Sequence, residues 1–211
     1  MLILELFSGT KSIGKVFEKE GHQVISVDLD NYFNPTHNIS ILDFDYKQYK
    51  HFDYIHCSPP CNEYSVNQAS FYGRKRTVNN VLIDFNEEIH KLELLKSDEL
   101  VLKALEIINY FKPTFWTMEN PYSNWRNSLK NRLIVKDLNY TICDYCMYET
   151  KIRCKKPTIF FNNFNLNLKQ CEKKHKHIRF DRMSGKIYDR YIIPKNLCLS
   201  IYNQVINKIS V

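Results

Sequence analysis

The chain of 211 residues has no apolar run long enough to cross a bilayer. Its opening, Met1-Leu2-Ile3-Leu4-Glu5, has neither the basic start nor the extended apolar stretch of an export signal. A soluble, intracellular protein with no membrane partner is therefore expected. The G-x-G-x-x-G spacing of dinucleotide sites is missing, and so is the Gly-Lys-Ser/Thr of a phosphate loop. No internal repeat, low-complexity linker or shift in composition divides the chain, so one domain over 1–211 is expected. An even set of cysteines is also absent, since there are seven. An odd number without an export signal disfavours a disulfide framework and favours reduced thiols, a metal site or a catalytic thiol.

What remains is an ordinary globular composition, 44% hydrophobic, in a chain long enough to bury a sizeable core. Thirty Lys and Arg against 23 Asp and Glu give a formal charge of +7. The basic residues gather at Arg74-Lys75-Arg76, Arg153 to Lys156 and Lys173 to Arg182. Such clusters suit a polyanionic partner, because phosphate binding needs local positive potential; they equally suit a solvated surface.

Strand and helix signals alternate. Residues 2–7 and 24–27 read as short strands buried on both faces, with a helix over 11–20 between them that Gly21 ends. Residues 53–57 and 115–118 read as two further strands, and 98–111 as a helix stopped by Pro113. Leu197 to Ile209 reads as a closing helix. The pattern predicts an α/β fold with a mainly parallel, Rossmann-like sheet and helices on both faces. In such sheets ligands sit beyond the carboxyl ends of the strands. The Phe7-Ser8-Gly9-Thr10 turn, Asp28, Cys61 and Glu119 all fall at predicted strand ends.

Cys61 has the most distinctive frame. In Ser58-Pro59-Pro60-Cys61 each proline locks its own φ and restricts the residue before it, so the thiol is delivered at a fixed place. Glu119 lies in Met118-Glu119-Asn120-Pro121 at the end of a later strand. A thiolate adding at carbon 6 of a cytosine makes carbon 5 nucleophilic, and a carboxylic acid at ring nitrogen 3 relieves the added charge. The pair therefore points to methyl transfer onto a pyrimidine carbon. The competing reading of Cys61 is a small buried hydrophobe, and of Glu119 a helix cap or surface acid.

These residues resemble the cytosine-C5 DNA methyltransferase family, in family order and over most of the chain, most closely its small, phage- or virus-type members. The resemblance implies S-adenosylmethionine as cofactor, with Phe7, Ser8, Gly9, Thr10, Asp28 and Pro60 around it. It implies Cys61 as nucleophile, Glu119 as the nitrogen-3 partner, and DNA as substrate with the base flipped into the pocket. Ser40 stands where an aspartate usually holds the adenine amine, and Asp43 is a nearby substitute. Lys11 stands where a second glycine is common. Glu149 replaces a glycine, and an insertion leaves Arg153, Lys155 and Lys156 competing to contact the pyrimidine carbonyl. Tyr145 to Tyr148 and Lys155 to Thr158 look like the later basic motif, and Tyr191 to Leu197 like a segment that packs back on the cofactor. Tyr64 and Ser65 open a long excursion, 62–97, expected to close over the flipped base, with Arg74, Lys75 and Arg76 on phosphates. A short basic segment, 162–190, replaces the usual target-recognition domain, so a partner subunit supplying recognition fits as well.

Three rival readings stand beside this one: an RNA substrate, methylation of an exocyclic amine, and a degenerate methyltransferase fold that binds nucleic acid or a partner. Cys143-Asp144-Tyr145-Cys146, with Cys171, His175 and His177, has a ligand set that suits tetrahedral zinc. Strand alternation would put Cys143 and Cys146 on opposite faces, however, so no resident metal is expected.

Overall fold

The computed structural model describes residues 1–78, 80–149, 154–172, 176–177 and 191–209. Nine strands and three helices are described: β1 (Leu2–Leu6), α1 (Gly14–Lys19), β2 (Gln23–Asp28), β3 (His37–Asn38), β4 (Tyr54–Cys57), β5 (Arg74–Val78), β6 (Val81–Phe85), α2 (Glu87–Phe111), β7 (Phe115–Pro121), β8 (Tyr140–Asp144), β9 (Pro157–Asn162) and α3 (Lys195–Ile209). Seven strands form one sheet in the order β3-β2-β1-β4-β7-β9-β8. The first five are mutually parallel, and β9 runs antiparallel to both its neighbours. The order turns back at β1, because β2 lies to one side of it and β4 to the other. That crevice is where an open α/β sheet takes a ligand.

Side-chain alternation divides the core in two. Leu4, Leu6, Ile25, Val27, Ile55, Cys57 and Met118 face α2, which answers with Leu94, Val101, Ala104, Ile107 and Ile108. Ile3, Tyr54, Phe115 and Phe160 face the other way, onto Phe17 of α1 and Leu197, Cys198, Ile201 and Val205 of α3. Both faces are covered, which is why the strands read as nearly continuous apolar runs.

Four elements differ from the sequence reading. Helix α1 starts at Gly14, because residues 11–13 are still turning. Helix α2 starts eleven residues before the expected position. Asn86 caps it by accepting a hydrogen bond from the Ile89 N–H, and Glu87 and Glu88 occupy its first turn. The irregular excursion contains an antiparallel hairpin, β5–β6, ahead of that helix. Strand β8 ends at Asp144, and Cys146 lies on the 3-10 turn that follows, Tyr145–Met147.

Candidate active site

Strand ends supply the site. A cavity of about 330 Å³ is lined by Phe7 to Thr10 after β1, Asp28 at the end of β2, Ser40 after β3, Ser58 to Cys61 after β4, and Glu119 on β7. Lys156, just before β9, completes the polar wall, and Tyr191 and Ile193 close the cavity from the far end of the chain. The Ile193 N–H donates to Ser12 Oγ at 3.1 Å, which holds that closing segment against the first turn.

The turn after β1 is strained. Phe7, Gly9 and Lys11 have φ of 55, 42 and 53°, the left-handed region in which only glycine is at ease. A Cβ on Gly9 would meet nothing within 4 Å, so space is open at that backbone. The Gly9 N–H donates to Asp28 Oδ2 at 2.7 Å, which pins the loop to β2. Beneath it, Glu5 is buried and accepts the Ile13 and Gly14 N–H groups, each at 3.1 Å. Burial raises its pKa from 4.5 to about 7, although the two backbone donors work against the shift. Gly14 is needed there, since a Cβ would fall 2.4 Å from Glu5 Oε2.

Ser8 Oγ is buried, lines the cavity and has no hydrogen-bond partner among the described residues. A buried hydroxyl left unpaired is costly unless a ligand completes it. That orphan, the open space at Gly9 and the Asp28 carboxylate together fit a polar, nucleoside-bearing cofactor such as S-adenosylmethionine.

The reactive end is built across β4 and β7. Asn120 Nδ2 donates to the Pro59 carbonyl at 3.1 Å, tying the acid-bearing strand to the proline-locked loop. His56, fully buried and pushed down to about 3 by desolvation, is neutral. Its ring bridges Thr117 Oγ1 at 2.8 Å and Ser58 Oγ at 3.0 Å, fixing the root of that loop. Cys61 is partly exposed, whereas Cys57, Cys143, Cys146, Cys154 and Cys198 are buried. Burial, and then the Glu119 carboxylate, push the Cys61 thiol up from its ordinary value, while Lys156 pulls it down.

Glu119 is held from the other side. Tyr145 donates its hydroxyl to Glu119 Oε1 at 2.9 Å, and Lys156 Nζ lies 4.0 Å from the same oxygen and 4.7 Å above the Tyr145 ring. Sequence reasoning assigned no role to Tyr145, Asn120 or His56. The signal for the first was its place in the Tyr145–Tyr148 run that resembles the later basic motif, and for the second its position beside Glu119.

Several expected residues are placed elsewhere. Asp43 is exposed and outside the cavity lining, and Ser40 lines it alone. Lys155 reaches Asp144 at 3.9 Å instead of the cavity, and Arg153 lies outside the described residues. Tyr64 is buried, donating to Asp98 Oδ1 at 3.0 Å, and Ser65 caps the short 3-10 turn Val66–Phe71. Arg76 is turned inward: its guanidinium holds Glu63 through two bonds of 2.7 and 3.2 Å and Gln68 at 2.8 Å, stacked 4.6 Å over Phe85. Its charge is thereby spent on the loop itself, while Arg74 and Lys75 stay exposed. Cys146 lies with Cys171 and His177, whose ligand atoms all fall within 4.8 Å of one another. The expectation of strand alternation fails there because β8 stops before Cys146. Cys143 is buried in the core, and His175 lies outside the described residues.

No protein-family profile matches the chain. A crystal structure of a candidate DNA modification methyltransferase encoded within an E. coli prophage aligns with 77% of this chain and 46% of its own, at 16% identity and a TM-score of 0.46. A curated protein of Frog virus 3 (isolate Goorha), named "Probable DNA (cytosine-5)-methyltransferase", is 31% identical over 156 residues. The match takes in 70% of this chain and 64% of the viral protein's length. The chain is thus a sequence relative of a viral protein named for cytosine-5 DNA methylation.

Proposed function

We propose that this protein is an S-adenosylmethionine-dependent methyltransferase acting on carbon 5 of cytosine in DNA. The observation that carries the reading is that one cavity is lined by both the Phe7–Thr10 turn with Asp28 and the Cys61–Glu119–Lys156 cluster. A cofactor site and a nucleophile with an acid thus share one space. The named activity of the viral relative supports the same reaction.

When bound, S-adenosylmethionine supplies an electrophilic methyl group. Phe7, Ser8, Gly9, Thr10, Asp28, Ser40 and Pro60 would hold it, with Asp28 accepting from ribose hydroxyls. The Cys61 thiol gives up its proton and its sulfur adds to carbon 6 of the cytosine, opening the C5–C6 double bond and loading electron density onto carbon 5. Once carbon 5 carries the methyl group, loss of its own proton re-forms that double bond and expels the Cys61 thiolate. Glu119 meets ring nitrogen 3, where the added charge collects. Tyr145 orients that carboxyl group, and Lys156 sets a cation beside it. Lysine is a point charge rather than a planar fork, so its contact with the pyrimidine carbonyl needs less exact alignment than an arginine's. A stacked cytosine must leave the duplex to reach Cys61, so base flipping belongs to the proposal. Arg74 and Lys75, both exposed on β5, are the phosphate contacts. Such a substrate sets the protein inside a cell, and a partner that supplies target recognition is compatible with the short segment 162–190.

The test is transfer of labelled methyl from S-adenosylmethionine to DNA and RNA pools, with Cys61→Ala beside wild type and cofactor binding followed by calorimetry. Label in DNA recovered as 5-methylcytosine, lost by more than about a thousandfold in the variant while cofactor binding persists, is the expected result. Undiminished transfer by Cys61→Ala overturns the mechanism. Label in RNA alone, or as an N4-methyl group, overturns the substrate or the position of attack.

A further inference from the structure

One cluster of reactive side chains lies apart from the cavity. Cys146 is buried on the turn after β8, and Cys171 and His177 are half-buried beside it. Cys171 Sγ is 3.3 Å from His177 Nε2, and the three ligand atoms all lie within 4.8 Å of one another. With metal–sulfur bonds of about 2.3 Å and metal–nitrogen bonds of about 2.0 Å, neighbouring ligands on a tetrahedron stand roughly 3.5–3.8 Å apart. The Cys171–His177 spacing is near that already, and the gaps to Cys146, none wider than 4.8 Å, close by at most about 1 Å on binding.

The backbone around the cluster is laced in advance. The Cys171 N–H donates to Asp144 Oδ2 at 2.8 Å, and the Asp144 N–H donates to the Lys169 carbonyl at 3.1 Å. The Lys169 N–H donates to Tyr148 Oη at 2.7 Å. Residues 169–171 are thus held against 144–148 by contacts that involve none of the three ligand groups. Supporting bonds of this kind fix a ligand set before a metal arrives.

We propose that Cys146, Cys171 and His177 supply three of the four ligands of a zinc ion that staples the stretch after β9 to the edge of the sheet, with a water or a further side chain in the fourth position. Two thiolates neutralise the divalent charge, which suits a half-buried place. Sulfur and imidazole ligands in tetrahedral spacing select zinc over magnesium or calcium, which take oxygen. The role is structural, because the ion ties together two segments 25 residues apart in sequence, at Cys146 and Cys171. It lies one residue from Tyr145, the partner of Glu119, yet none of its ligands lines the cavity.

The test is metal content and is independent of methyl transfer. Full-length protein, reduced and incubated with zinc chloride, is desalted and measured by plasma mass spectrometry. Retention of one zinc per chain is expected, falling about tenfold or more in a Cys146→Ala/Cys171→Ala variant and unchanged in Cys61→Ala. Circular dichroism establishes that the double variant is folded. Should it not fold, cobalt(II) added to wild type reads the same site: a thiolate-to-cobalt charge-transfer band with tetrahedral visible bands, displaced by zinc, supports the proposal. Wild type that retains no zinc and shows no such band overturns it. So does a folded double variant with undiminished zinc, or reduced protein in which Cys146 and Cys171 re-form a disulfide in preference to binding zinc.

Discussion

Glu5 is a carboxyl group kept in the core by the N–H groups at the start of α1. Its pKa is raised to about 7 in the fold against 4.5 outside it. A raised value means that the folded state holds the proton more tightly than the unfolded one. The stability this gives is complete below pH 4.5 and is lost as pH rises through about 7, a change of at most about 3 kcal/mol. Glu5→Gln has no such titration. The melting temperature of wild type relative to Glu5→Gln should therefore fall between pH 5 and pH 8, read by scanning calorimetry at matched ionic strength. A difference that stays flat would mean the carboxyl is ionised throughout. At this scale the sequence was readable where a residue's chemistry is tied to its neighbours in the chain. Cys61 between Pro60 and Tyr64, and Glu119 before Asn120, carry their signals locally. The partners that hold them do not. Tyr145 meets Glu119 across 26 positions and His56 meets Thr117 across 61, and only the folding of the sheet brings them together.

The hairpin β5–β6 depends on an ion pair more than on its own strands. Two strands alone are marginal in water. Arg76 joins the hairpin to Glu63 and Gln68 of the loop that follows Cys61, and its planar group covers Phe85. Arg76→Ala leaves Glu63, with 11% of its side chain exposed, without its guanidinium partner and with only the His90 ring, at 3.6 Å, as an ion-pair neighbour among the described residues. A loss of about 1–3 kcal/mol is expected, against less than about 0.5 for Arg74→Ala. Urea melts of the two variants measure this, and equal losses would show that Arg76 anchors nothing. The hairpin escaped the sequence reading because Arg74 to Phe85 alternates weakly and its apolar residues Val81 and Leu82 are exposed. The start of α2 was there to be found: Asn86 followed by two glutamates is a capping signal. The parallel strands were readable because both faces are buried, which makes each a short unbroken apolar run.

Both faces of the sheet are needed by the molecule as a whole. Helix α3 contributes Leu197, Cys198, Ile201 and Val205, each at most 1% exposed, to the layer that also holds Phe17 and Tyr54. Burying large aliphatic side chains is worth about 1.5–3 kcal/mol apiece. The sum is comparable with the whole stability of a domain, about 5–15 kcal/mol. Deleting residues 195–211 should therefore abolish the cooperative thermal transition seen by circular dichroism, and a transition kept intact would show that α3 is an ornament of the fold. The order in which the cavity walls occur along the chain also matters while the protein is being made. Cys61 leaves the ribosome before Glu119, Lys156, Tyr191 and Ile193, which share its cavity. At about 5–20 residues per second, the interval between residue 61 and residue 193 is on the order of ten seconds. Throughout that interval the Cys61 thiol lacks both the burial and the Glu119 carboxylate that later raise its pKa, so it ionises more readily in the nascent chain than in the folded one.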